Sequence, residues 1–135
     1  MIKKVILIVV ILTGFFGLYV TLSNAKKMDT PVSSNPAMSI QTIKDDVAKG
    51  GQLIDVRTAS EYTSGHIDSS INLSLQDIQQ GTLPGVAKDK PVYVYCRSGN
   101  RSSEATSILK TAGYRNVIDL GAMTNVQSMG GKVTQ

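Results

Sequence analysis

The chain has 135 residues, with 14 Lys and Arg against 10 Asp and Glu, one histidine, one cysteine and no tryptophan. That length suits one domain, and a single cysteine excludes an intrachain disulfide. The formal charge of +4 falls to +2 once Lys3 and Lys4 are set aside, and the basic residues form no stripe of the kind that binds nucleic acid.

Met1-Ile2-Lys3-Lys4 is a short basic start, and Val5 to Leu22 then runs 18 residues without a charge. As a helix this run would measure about 27 Å, close to the roughly 30 Å of a bilayer core. It is apolar all round, unlike a helix that packs one face on a soluble core. Ser23-Asn24-Ala25 closes it with the small residues that a signal peptidase reads. Residues 1–25 are therefore expected to be a transmembrane anchor or a cleaved signal peptide, the length tipping the balance toward the anchor. Both export the rest of the chain if Lys3 and Lys4 stay inside, although Lys26 and Lys27 place equal charge on the far side. The expected location is a membrane-anchored extracytoplasmic domain, or a periplasmic or secreted one after cleavage. Residues 26–37, with Pro31 and Pro36, read as a linker. Residues 38–135 read as the domain.

Within the domain, Ser39 is placed to cap a helix over Ile40 to Lys49, with Ile40, Ile43 and Val47 on its core-facing stripe. Gly50-Gly51 ends it. Gln52 to Val56 is an apolar strand of the buried kind. Thr58 caps a short helix through Tyr62, with Glu61 at the capping-box position. Gly65-His66-Ile67 turns the chain back, Leu75 to Gln80 forms a short helix, and Gly81 to Lys90 is loop. Pro91 to Tyr95 is the central strand, with proline at its first residue, where strands tolerate it. A helix over Ser102 to Ala112 ends at Gly113, and Asn116 to Leu120 is the next strand. Strands alternating with helices imply a parallel sheet covered on both faces. Ligands of such sheets bind at the carboxyl ends of the strands.

Cys96 stands at such an end, in Tyr95-Cys96-Arg97-Ser98-Gly99-Asn100-Arg101-Ser102. Backbone N–H groups at a helix start, with Arg97 and Arg101, favour negative charge. The same field favours thiolate over thiol, so Cys96 is expected to be a nucleophile of depressed pKa. Gly99 lets the loop turn tightly, and Ser98, Asn100 and Ser102 add short donors without bulk. The Cys-x4-Arg spacing makes a ring suited to a terminal sulfur on the thiolate rather than to a phosphoryl group. His66, alone and without a metal partner, is a weak candidate for a general base. Arg57 and Glu61 are expected to pair with each other near the rim, and Tyr93 and Tyr95 to pack within the strand.

Three stretches resemble the rhodanese, or thiosulfate sulfurtransferase, family. They are Leu53-Ile54-Asp55-Val56-Arg57 through Glu61-Tyr62, Gly65-His66-Ile67 and Ile71-Asn72; the loop Cys96 to Ser102; and Ala112-Gly113-Tyr114 through Leu120-Gly121. The resemblance runs from about Met38 to the carboxyl terminus. It implies a rhodanese-like α/β fold: a small parallel sheet with helices on both faces, here preceded by the hydrophobic N-terminal helix. It implies sulfur transfer from thiosulfate or a related donor through a Cys96 persulfide, with Arg97, Ser98, Gly99, Asn100, Arg101 and Ser102 binding the donor. The Gly-His-Ile motif is a structural turn in the family. Three departures stand out: Ser69-Ser70 where members often read Gly-Ala, and Ala122 and Val126 where a glycine and a tryptophan often follow the last strand.

The expected partners are a small anionic sulfur donor and a thiol or cyanide acceptor. No metal, organic cofactor or nucleic acid is expected, and the domain is expected to act as a monomer. Two other uses of the loop remain open: a membrane-tethered persulfide carrier, and a cysteine phosphatase or arsenate reductase.

Overall fold

The computed structural model describes residues 38–135. The expected anchor or signal, the N-terminal hydrophobic helix and the linker up to residue 37 lie outside the described residues. Among the described residues, no helix is long and apolar enough to cross a membrane.

The elements run in chain order as α1 (Ile40–Ala48), β1 (Gln52–Asp55), α2 (Ala59–Thr63), β2 (His66–Ile67), β3 (Ile71–Asn72), α3 (Leu75–Gln79), β4 (Pro91–Cys96), α4 (Asn100–Thr111), β5 (Asn116–Ala122), α5 (Met123–Ser128) and β6 (Val133–Thr134). Four strands form a parallel sheet in the order β3-β1-β4-β5. The Gly-His-Ile segment is more than a turn, since β2 pairs antiparallel with β6, setting Ile67 beside Val133.

Side chains alternate across a strand, and β4 sorts its residues accordingly. Val92, Val94 and Cys96 join Ile54, Val117 and the inner residues of α3 and α4, Ile78, Ala105 and Leu109. Tyr93 and Tyr95 point to the opposite face, where Ile43 of α1 and Val126 of α5 complete a second core. The parallel sheet covered on both faces is thus present. Neither tyrosine is only packing: the Tyr95 hydroxyl accepts the Ile67 N–H at 2.9 Å and lies 3.1 Å from Ser70 Oγ, and the Tyr93 hydroxyl donates to Asp46 at 2.6 Å.

Local signals set the element starts. Ser39 Oγ accepts from the Thr42 N–H at the head of α1, and Thr58 and Glu61 form a complete capping box at the head of α2. Helix α4 begins at Asn100, two residues before the sequence suggests, because Gly99 at φ +101° takes the N-cap position. The turn after β2 holds Ser69 at φ +72°, the one positive φ among the described non-glycine residues. The backbone therefore keeps a glycine conformation where family members often have glycine.

Candidate active site

Cys96 ends β4 with its side chain fully buried. The chain then leaves the sheet through Arg97 and Ser98 and turns into α4 at Gly99. No side chain caps this helix, and the Cys96 sulfur occupies that place instead. The Gly99 N–H donates to Sγ at 3.0 Å, and Ser102 Oγ lies 3.7 Å away. Burial alone would push the thiol up, but the backbone N–H groups of Ser102, Gly99 and Ser98 and the Ser102 hydroxyl outweigh it and bring the thiol below its ordinary value. Ser102 also fixes the loop, donating to the Gly99 carbonyl at 2.9 Å.

The far wall comes from β5. Its pairing with β4 shifts between Val94 and Tyr95, so that Asp119 stands opposite Val94 but Gly121 opposite Tyr95. The extra residue, Leu120, turns into the second core, and Ala122 arrives beside Cys96. Bulges re-aim side chains at functional sites in this way. Gly121 at φ +73° permits the bend, and α5 then starts with Met123 at the rim. Val126, at the expected tryptophan position, is fully buried in the second core.

The arginines are arranged differently from the sequence expectation. Arg57 does not pair with Glu61. Its Nε lies 3.0 Å from both Asp55 carboxylate oxygens, its Nη2 donates to Asp55 Oδ2 at 2.6 Å, and Nη2 also reaches the Gly65 carbonyl at 2.6 Å. Asp55 lies on the buried side of β1, only two residues away, and so reaches the guanidinium first. Glu61 instead receives Arg101, from 40 residues downstream: Nη1 donates to Oε2 at 2.7 Å and Nη2 to Oε1 at 2.9 Å. The bidentate Arg101 guanidinium, aided by the Thr58 cap, pulls the Glu61 carboxyl down to about 2. Arg97 and Asn100 are exposed, as is Ser98.

Two openings flank this bridge. A mouth of about 340 Å³ is lined by Arg57, Ser60, Glu61, Ser64, Arg97 and Met123. On the Arg101 side lies a cleft of about 580 Å³, whose walls include Val56, Thr58, Asn72 and Leu75. Cys96 lines neither, since its sulfur sits beneath the loop. His66 stacks on Tyr62 with ring centroids 3.8 Å apart and its Nδ1 lies 3.0 Å from the Tyr62 carbonyl, a structural setting. Among the described residues, no group of three or more His, Cys, Asp or Glu is placed to hold a metal.

The placing of the loop Cys96 to Ser102 between the central strand and the helix was legible in the sequence. Met123 and the Glu61–Arg101 bridge were not. The capping box revealed Glu61 as fixed, but nothing local revealed the partner of its second oxygen.

Residues 39–128 match the rhodanese-like domain family. The chain is 32% identical over 74 residues to the thiosulfate sulfurtransferase PspE of Escherichia coli, covering 54% of this chain and 71% of that protein. It is 32% identical over 98 residues to the uncharacterised protein YqhL of Bacillus subtilis, covering 70% and 75%. To the adenylyltransferase and sulfurtransferase uba4 of Ogataea parapolymorpha it is 38% identical over 73 residues, which span 53% of this chain but only 19% of that much longer protein. Among solved structures, a rhodanese from E. coli determined with anions superposes with a TM-score of 0.54 at 27% identity, over 63% of this chain and 98% of that one. The family match runs from the cap of α1 to the end of α5, through every strand and loop that builds the thiol site; the chain belongs to the rhodanese-like domain family.

Proposed function

We propose that this domain is a sulfurtransferase that carries a sulfane sulfur on Cys96 between an anionic donor, such as thiosulfate, and a thiophilic acceptor. The carrying observation is the Cys96 sulfur at the head of α4, where it meets backbone N–H donors that no side chain caps. The thiolate attacks the donor's outer sulfur. A new sulfur–sulfur bond forms on Cys96 as the donor's own breaks, and sulfite leaves with that electron pair. The terminal sulfur of the persulfide keeps the negative charge, which the loop N–H groups stabilise as preorganised donors. An acceptor (cyanide in an assay, a thiol in a cell) then attacks that sulfur and releases the Cys96 thiolate. Two half-reactions on one nucleophile give ping-pong kinetics.

Arg101 counts against the phosphatase reading, because a bidentate pair with Glu61 holds its guanidinium and offsets its charge. The carrier reading draws support from the burial of Cys96, which shelters a persulfide between donor and acceptor. Multiple turnover with a small acceptor supports the enzyme, and loading without turnover supports the carrier. The uncharged run from Val5 to Leu22 supports an exported, membrane-tethered setting for either.

The deciding experiment is the intact mass of the reduced full chain before thiosulfate, after it, and after cyanide. The expected result is a gain of one sulfur atom that cyanide removes, absent in Cys96→Ser. No adduct on a free thiol would overturn the proposal.

A further inference from the structure

Three arginines belong to the thiol loop or line the mouth beside it, and two of them are already neutralised. Arg57 lines the mouth but is bound to Asp55. Arg101 belongs to the thiol loop but is bound to Glu61. Arg97 is exposed and forms no salt bridge among the described residues. The reactive thiolate subtracts a further charge from the site. With Arg97 set against the thiolate, these charges sum to zero, so a dianion brings two negative charges that nothing offsets and a monoanion only one. The mouth also has an apolar component. Ala122 pairs with Cys96 across the sheet, and the next residue, Met123, lines the same mouth as Arg97.

We propose that Glu61 sets donor selectivity: by holding both terminal nitrogens of Arg101, it leaves Arg97 as the cation that receives the donor and favours singly charged organic sulfane donors over dianionic thiosulfate. This rests on the sulfur-transfer reading of Cys96. The donor class is R–SO2–S⁻ or R–S–S⁻, with the charged end at Arg97 and the loop and the substituent R against Met123. For benzenethiosulfonate the Cys96 thiolate takes the terminal sulfur, the donor's S–S bond breaks, and benzenesulfinate leaves with its electrons. The resulting persulfide is the one that thiosulfate would form. Glu61 touches no reacting atom. It acts by keeping Arg101 away from the donor, which makes it a positioning residue.

The test compares kcat/KM for benzenethiosulfonate and for thiosulfate, with cyanide as acceptor, in the full chain and in two variants. The unaltered protein should prefer benzenethiosulfonate. Glu61→Gln frees the Arg101 cation and should reduce that preference by about threefold to tenfold, the size expected of one partly exposed charge acting on another. Arg101→Gln leaves the Glu61 carboxylate unneutralised and should move the preference the opposite way. A purely structural bridge would lower both donors in parallel in both variants, and that outcome overturns the proposal. So does a preference for thiosulfate in the unaltered protein, a result that needs no variant to fold. If neither donor adds sulfur to Cys96, the sulfur-transfer reading itself has failed. If both add sulfur but the ratio ignores Glu61, only the selectivity assignment falls.

Discussion

Cys96 takes the position that a serine or aspartate side chain holds at most helix starts. A capping oxygen only satisfies N–H groups, whereas a capping sulfur is also made reactive by them. The cost is borne by Gly99, whose φ of +101° few other residues tolerate. A β-carbon there would meet Gly121 at an ordinary 3.7 Å, so the obstacle to substitution is the backbone and not space. Ser102 is the side chain that separates reactivity from folding. Its hydroxyl donates to the Gly99 carbonyl while its oxygen lies 3.7 Å from the thiol, so the one proton can turn to the sulfur when that ionises, while the N–H donors of the loop do not depend on it. Ser102→Ala should therefore raise the thiol's titration midpoint toward the ordinary value and cost about 1 kcal/mol of stability, the worth of one hydrogen bond. Ultraviolet absorbance of the thiolate followed across pH reads the first effect, and urea unfolding reads the second. An unchanged titration would mean that the backbone alone sets the reactivity of Cys96.

Between elements, the buried Asp55–Arg57 pair ties the end of β1 to the Gly65 carbonyl just before β2. Asp55 is fully buried and Arg57 nearly so, and removing one partner strands the other's charge in the interior. Asp55→Asn should cost about 3–5 kcal/mol; a loss below about 1 kcal/mol in urea unfolding would show that the guanidinium finds water instead. The turn between β2 and β3 stores a smaller strain. Ser69 sits at φ +72°, and Ser69→Gly should stabilise the domain by about 1 kcal/mol, read as a higher urea midpoint with unchanged slope. Sequence reading does well with short-range features and fails with long-range ones. The Thr58–Glu61 box and the Ser39 cap each close within three residues, so spacing alone reveals them. Arg57 and Glu61 also stand at a helical spacing that suggests a pair, yet Arg57 precedes the start of α2 and so shares no helical face with Glu61. The Arg101 contact and the β2–β6 ladder join segments 40 and more residues apart. The β5 bulge that delivers Met123 depends on Leu120 finding the second core, a fact of packing that no local pattern encodes.

For the whole molecule, the shifted groups combine into one pH profile of stability. Glu61 is held at about 2 by Arg101 and its Thr58 cap, and Asp68 is lowered by Lys44. The unfolded chain binds protons at these sites before the folded one does, so stability should climb as pH rises from about 2 to the ordinary carboxylate range. Cys96 is lowered too: burial opposes its ionisation, but the loop N–H groups prevail. Its contribution is complete above the ordinary thiol value and is lost as pH falls through the folded one, which adds a second rise on the alkaline side of neutrality. Tyr93 and Tyr95 act in the opposite sense. Burial, with the nearby Asp46 carboxylate, pushes Tyr93 up to about 12, and burial raises Tyr95 as well. The unfolded chain then releases these phenolic protons first, so stability should fall from about pH 10 upward. The expected curve rises in acid, rises again toward alkaline pH, and drops beyond it, with its maximum above neutrality. Urea midpoints measured from about pH 2 to about pH 11 trace it. Cys96→Ser should remove the second rise and leave the acid limb intact, and Tyr93→Phe should soften the alkaline drop. A maximum at or below neutrality, unchanged in Cys96→Ser, would mean that the cradle does not favour thiolate, and the chemical basis of the proposed sulfur transfer would fall with it.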